Sequence, residues 1–252
     1  MTNDMNTTNP QNDTDPAIGY IPCCMQPFSS VGNSEVYNMD CVAGMKHYPD
    51  KYFDLAIVDP PYGIGVGSVG KMTSVSKKEY AKKNWDANVP TLEYFIELKR
   101  VSKNQIIWGA NYFDGVGLVG GGIVWNKLGK SVGRRNPMPN LSDCEIAYCS
   151  MRTNVKMFSY TQIGNVYGND YKVDWNQNRI HPTQKPIELY EWCLINYAEK
   201  GQRILDTHLG SGSSRIACHN LGFDFVGFEI DKDYLKTHEQ RFKNHISQMR
   251  LF

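Results

Sequence analysis

Apolar residues fall along this chain in short unbroken runs, not in strict alternation: "EVYNM", "DLAIV", "QIIW", "GIVW", "EIAY", "RILD" and "FVGFE". A strand with one wet face alternates, whereas an unbroken run is covered on both faces, as in a parallel-rich sheet between helices. Helical spacing fills the intervals. "TLEYFIELKRV" sets Tyr94, Phe95 and Leu98 on one stripe behind Thr91 as N-cap, and "PIELYEWCLINYA" opens at Pro186 in its first turn. "SSRIACHNLG" stops at Gly222, and "KDYLKTHEQRFKNHI" follows near the end. Strands alternating with helices predict a doubly wound, mostly parallel seven-stranded α/β sheet over residues 31–247.

Three stretches break this rhythm. Residues 1–30 are rich in Asn, Thr, Asp, Gln and Pro, too poor in apolar groups to repay the entropy of ordering, and read as a flexible tail. Residues 64–90 form a long Gly-, Ser- and Lys-rich loop of the length that serves lids and binding loops. Residues 150–180 mix aromatics, amides and basic groups in the manner of a contact surface.

Totals narrow the classes. The 252 residues allow one domain with a sizeable core, and 27 Lys and Arg against 26 Asp and Glu give a net charge of +1, so any nucleic-acid surface must be local. Seven cysteines with no CxxC pair read as reduced thiols, and no metal site is expected. No run approaches the ~20 apolar residues of a membrane span. A cytoplasmic protein is expected.

The chemistry sits in two places. After "DLAIV" comes "DPPYG": Asp59 closes a buried strand where α/β sheets present ligand-binding side chains, and Pro60 and Pro61 supply carbonyls but no donors. A carboxylate and a fixed carbonyl can accept both hydrogens of an exocyclic amine while Tyr62 stacks on its ring. Far later, "RILDTHLGSGSS" runs strand, acid, glycine loop, helix start, a shape that brings backbone N–H groups to a ligand. Glu229, closing the next strand about twenty residues on, suits ribose hydroxyls. Neither GxGxxG nor GxxxxGK[ST] is present, which sets NAD and ATP behind.

"DPPY" at 59–62, "HPTQKP" at 181–186 and "DTHLGSGSS" at 206–214 resemble three motifs of S-adenosylmethionine-dependent DNA amino-methyltransferases. Their order, catalytic motif ahead of cofactor loop, resembles the permuted β group, and the DPPY form resembles its adenine-N6 members. The resemblance implies that Asp59, Pro60, Pro61 and Tyr62 handle the target amine. It places Asp206, His208, Gly210, Ser211, Gly212 and Ser213 around the methionine part of the cofactor and Glu229 at its ribose. Thr183 and Lys185 are implied at the carboxylate end, Asp59 beside the cofactor, and Asp40 and Cys41 near the adenine. Thr207 and His208 stand where the family commonly has Pro-Phe, and His208 is read as a wall residue, not a base.

A base inside a duplex must be flipped out before its amine can react. Lys71, Lys77, Lys78, Lys82, Lys83, Lys130, Arg134 and Arg135 are the candidates for phosphate contacts, a solvated charged surface being the other reading. In the tail 248–252, Gln248, Leu251 and Phe252 match a QxxLF pattern resembling sliding-clamp-binding peptides, or else an apolar end packing on its own sheet. The resemblance also allows a homodimer and a bacterial or phage enzyme of restriction-modification or orphan type at the nucleoid. Rival readings are cytosine-N4 methylation, an RNA amine as acceptor, and a non-catalytic cofactor-sensing nucleic-acid binder.

Overall fold

The computed structural model describes residues 25–68, 81–128, 142–163, 166–168 and 179–249. In chain order these hold β1 (Ser29–Val31), β2 (Ser34–Tyr37), α1 (Cys41–Met45), β3 (Phe53–Val58), α2 (Leu92–Val101), β4 (Ser102–Trp108), β5 (Gly121–Asn126) and β6 (Cys144–Cys149). There follow β7 (Lys156–Ser159), β8 (Thr161–Ile163), β9 (Val166–Gly168), α3 (Ile187–Tyr197), β10 (Arg203–Asp206), α4 (Ser213–Leu221), β11 (Asp224–Phe228) and α5 (Lys232–Met249).

The unbroken apolar runs have the expected cause. In β3, Leu55 and Ile57 join Trp108, Trp125 and Leu189 in one core, while Ala56 and Val58 join Phe95, Leu98 and Ile107 in another. Successive side chains leave opposite faces of a strand, so a sheet with a core on each face needs apolar residues at every position. Helix α2 buries the predicted stripe of Tyr94, Phe95 and Leu98 together with Val101. Helix α4 ends on Gly222 at φ 74°, a left-handed stop that glycine adopts without penalty.

Nine strands form one sheet in the order β1-β2-β11-β10-β3-β4-β6-β5-β7, and β8 pairs with β9 apart from it. Neighbours from β2 to β4 run parallel. Strand β6 lies antiparallel to both β4 and β5. The seven expected strands are the middle seven, with β1 and β7 added at the edges.

The flexible tail expected over 1–30 extends too far. Met25 is buried, Phe28 donates its N–H to the Val36 carbonyl at 2.8 Å, and β1 turns at Gly32 (φ 57°) to pair with β2. The contact segment 150–180 carries β7, β8 and β9, three strands too short to show a period. Helix α1, with five residues, is likewise too short to show one. Among the described residues no helix is long and apolar enough to cross a membrane, and no cluster of metal-ligating side chains is found.

Candidate active site

Strands β3 and β10 are parallel neighbours, with Leu55 opposite Ile204 and Ala56 opposite Leu205. Their C-terminal ends therefore open on the same side, and the loops that begin at Asp59 and Asp206 meet in space although 147 positions (206 − 59) separate them. Ligand sites of α/β sheets lie at these carboxyl ends. Two cavities share a wall there, both lined by Asp59, Pro61, Trp85, Thr183 and Lys185.

The first cavity, of about 290 Å³, belongs to the DPPY loop. Asp59 Oδ1 receives two donors, the Tyr62 hydroxyl at 2.6 Å and Lys185 Nζ at 2.6 Å. Among the described residues none bonds Asp59 Oδ2. Lys185, only 4% exposed, also lies 3.1 Å from the Tyr62 hydroxyl and 3.0 Å from Glu145 Oε2. Burial would lower the Lys185 ammonium, but the two carboxylates outweigh it and hold its pKa above the usual value. Burial raises the Asp59 carboxyl against the pull of Lys185. Glu145 runs the other way: Lys185 and Lys127 overcome its burial and bring it down to about 2.

The tyrosine is less free than the sequence suggests. Its ring lies stacked on Tyr112, centroids 4.8 Å apart at 12°. Gly109, at φ 73°, abuts the ring so closely that a Cβ there would fall 2.1 Å from it. Both rings line the cavity, Tyr112 the more exposed of the two at 38%. Asp86 then fixes the loop itself: one carboxylate takes the backbone N–H groups of Tyr62 (2.8 Å), Gly63 (3.0 Å) and Val66 (2.9 Å).

The second cavity, of about 330 Å³, lies over the glycine loop. Gly210 is left-handed at φ 49° and gives its N–H to Glu229 Oε2 at 2.8 Å, while Glu229 Oε1 takes the Asp231 N–H. From the other side Arg241 of α5 donates to the Ser211 carbonyl and the Ser213 hydroxyl, and Ser213 donates to the Lys185 carbonyl at 2.7 Å. An aromatic wall closes the cavity: Trp85 stands 5.0 Å from His181, and His181 stands 4.3 Å from Tyr234. Burial pushes His181 down to about 3, so it is a neutral ring, and Thr183 meets its Nδ1. His208 lines the same cavity and is likewise neutral, lowered by burial to about 4.

Others among the expected residues hold contacts within the protein. The Asp40 carboxylate caps α1 by accepting the Ala43 N–H at 2.9 Å and is no part of the cavity wall, and Cys41 lies behind His208 at 3.9 Å. Asp206 sits beneath the loop, taking the Ser214 hydroxyl and the His208 N–H, with its carboxyl driven up by burial to about 7. Gly212 caps α4 and packs on His238, where a Cβ would come within 1.9 Å. Lys185 points at Asp59 and Glu145 from between the cavities, not at one end of the second.

Lys83, one of the residues expected at DNA phosphate, pairs with Asp231 (2.5 Å) and Asp233 (3.2 Å) over the Tyr234 ring, tying residues 81–86, a strap, to the rim of the second cavity. Lys82 is exposed. Lys71, Lys77, Lys78, Lys130, Arg134 and Arg135 lie outside the described residues, as do Leu251 and Phe252; Gln248 is an exposed residue of α5.

Residues 123–240 match the DNA methylase family. The chain is 25% identical over 246 residues to the type II methyltransferase M2.MboI of Moraxella bovis, covering 83% of this chain and 88% of that protein. It is 23% identical over 248 residues to M.HinfI of Haemophilus influenzae, covering 81% and 67%. Among solved structures it is similar to the M1.HpyAVI–SAM complex, with a TM-score of 0.52, 21% identity, and 82% of this chain and 98% of that one covered. The cytosine-N4-specific PvuII DNA methyltransferase gives 0.54 at 14% identity, with 89% and 95% covered. At these identities the solved structures share the fold.

Proposed function

We infer that this chain, whose residues 123–240 match the DNA methylase family, moves a methyl group from S-adenosylmethionine to an exocyclic amine of a base in DNA, the base being adenine and the amine its N6. The observation that carries this reading is Asp59. Its Oδ1 is fixed by Tyr62 and Lys185 on the wall common to two cavities, with Oδ2 left for an amine. The Asp-Pro-Pro-Tyr form supports adenine over cytosine.

The residues present fit the cofactor. The second cavity falls in the size range of small-ligand sites and combines apolar walls with a few placed polar groups. Gly210 leaves room below His181, where even a Cβ would keep 3.8 Å. Glu229 offers a carboxylate for ribose hydroxyls, Trp85 and Tyr234 offer ring faces, and the Ser211–Ser213 backbone is braced from behind. Glu229, Gly210, Ser211, His208, Thr183 and Tyr234 would hold it. When bound, S-adenosylmethionine supplies a sulfonium methyl already activated for transfer.

The chain's own residues then do the rest. Pro61 and Tyr62 shape the first cavity, and Tyr112, braced by Tyr62, stacks on a flipped base. Asp59 Oδ2 and the Pro60 carbonyl accept the two amine hydrogens and aim the nitrogen at the neighbouring cavity. Such alignment is worth several kcal/mol, up to about 7–11 in favourable cases. As the N–C bond forms and the S–C bond breaks, Asp59 stabilises the positive charge growing on nitrogen and takes up the surplus proton. Its burial, which raises the carboxyl, makes it the better proton acceptor.

The test is methylation of DNA by the wild type and by Asp59→Ala, followed by nucleoside mass spectrometry. N6-methyladenine that vanishes in the variant is the expected result. N4-methylcytosine instead overturns the choice of base, and no methylated nucleoside overturns the function.

A further inference from the structure

Glu145 belongs to none of the three motifs, yet it stands half-buried in the wall of the first cavity, its side chain 21% exposed. Its Oε1 lies 3.0 Å from Lys127 Nζ and its Oε2 3.0 Å from Lys185 Nζ, while Lys185 Nζ lies 2.6 Å from Asp59 Oδ1. Lys127, Glu145, Lys185 and Asp59 thus form a row of alternating charge that sums to zero. A buried charge is stable only when paired, and removing one partner leaves the other uncompensated. The row lies between strands held in register, since β6 pairs antiparallel with β5 and sets Glu145 opposite Trp125, two positions before Lys127.

An ammonium 2.6 Å from the reacting carboxylate is a mixed benefit. It orients Asp59, but by itself it opposes the positive charge that methyl transfer builds on the amine. Glu145 is placed to offset that charge. We propose that Glu145 is a positioning residue of the reaction, holding Lys185 so that Lys185 fixes Asp59 Oδ1 while its charge is balanced from the opposite side. The proposal rests on the methyl-transfer reading above. Glu145 does not touch the second cavity, so its effect falls on transfer and not on cofactor affinity.

Groups that act on Asp59 come from every surrounding element. They are Lys185 ahead of α3, Glu145 of β6, Tyr62 of the same loop, Tyr94 of α2, Tyr190 of α3 and Asp206 of β10. Burial holds the three tyrosines well above their ordinary range, so they stay neutral. Loss of the Glu145 charge leaves Lys185 with Asp59 as its one carboxylate partner, and Asp59 then titrates at lower pH.

The experiment uses the full chain as wild type, Glu145→Gln, and the double variant Glu145→Gln with Lys127→Met, which loses one charge of each sign and stands in if the single variant fails to fold. Expected in the variant are a fall in kcat of about tenfold or more, below the 10²–10³ typical of a group touching the reacting atoms, and unchanged S-adenosylmethionine affinity. The acid limb of the kcat profile also moves to lower pH. Unchanged kcat, or cofactor affinity falling in step with it, overturns the proposal. A carbon-13 titration of the Asp59 carboxyl, assigned with Asp59→Asn, reads the same shift without turnover. An unmoved titration sinks the role of Glu145 even in an active enzyme, whereas a wild type that moves no methyl group sinks the assigned reaction and leaves the titration to judge Glu145.

Discussion

Asp86 accepts the backbone N–H of Tyr62 at 2.8 Å from 24 residues farther along the chain, and the same carboxylate takes the N–H groups of Gly63 and Val66. Two prolines carry no N–H, so three of the next N–H groups of the loop converge on this one buried acid. Asp86→Ala removes the acceptor of three part-buried N–H groups and is expected to cost on the order of 1–3 kcal/mol in all, since water can reach part of what is left. Thermal unfolding should show a large fall in Tm, and methyl transfer should fall with it. A variant of wild-type stability and activity would show that Asp86 does not hold the loop.

Gly109 and Gly115 offer a paired comparison. Both are left-handed, at φ 73° and 74°, but a Cβ at Gly109 meets the Tyr62 ring at 2.1 Å while at Gly115 nothing lies within 4 Å. Alanine at 115 bears only the left-handed backbone penalty of roughly 1–2 kcal/mol. Alanine at 109 adds overpacking of about 1–3 kcal/mol and displaces Tyr62. Equal melting temperatures for the two variants would sink the packing explanation.

The Lys83–Asp231 pair joins the strap to the rim of the second cavity, with both side chains 20% exposed. A partly exposed pair contributes about 1 kcal/mol or less and weakens with salt. Lys83→Ala should therefore quicken S-adenosylmethionine dissociation several-fold at low salt, and the difference from wild type should shrink as salt rises. Stopped-flow release at two ionic strengths reads it. Because this ammonium is already engaged, the salt dependence of DNA binding should be unchanged.

Asp206 gives a stability prediction with a definite sign. Its folded pKa of about 7 lies above the ordinary carboxylate value because burial disfavours the ion. A group raised on folding contributes stability fully present below its unfolded pKa and lost as pH rises through the folded one. The cofactor-free protein should lose a few kcal/mol between about pH 4 and 7 from this group, at about 1.4 kcal/mol per pKa unit. Asp206→Asn should flatten that slope in urea titrations; an unchanged slope would assign it to other groups.

Legibility in the sequence followed distance along the chain. Asp59 was readable because an unbroken apolar run, two prolines and an aromatic are local signals, and the glycine loop before α4 was readable for the same reason. Asp86 was not, since nothing marks an acid as the acceptor for a loop 24 residues earlier. Nor was the ion pair of Lys185 with Asp59, which joins the segment ahead of α3 to the end of β3 across 126 positions of the chain (185 − 59). The pairing of Lys83 with Asp231 was equally hidden, because composition reports charge but not its partner. Strand β1 was lost to its polar neighbourhood, its pairing supplied by β2 and not by its own pattern.

The parallel adjacency of β3 and β10 gives the two cavities a common wall, so their occupants are near neighbours. One molecule carrying a nucleoside in the second cavity and a purine in the first, joined through the gap beside Asp59, would bind as two tethered ligands. The second contact would form at the high effective concentration of a short linker. A bisubstrate inhibitor of this kind would gain affinity from geometry alone, and whichever half arrived first would raise the grip on the other.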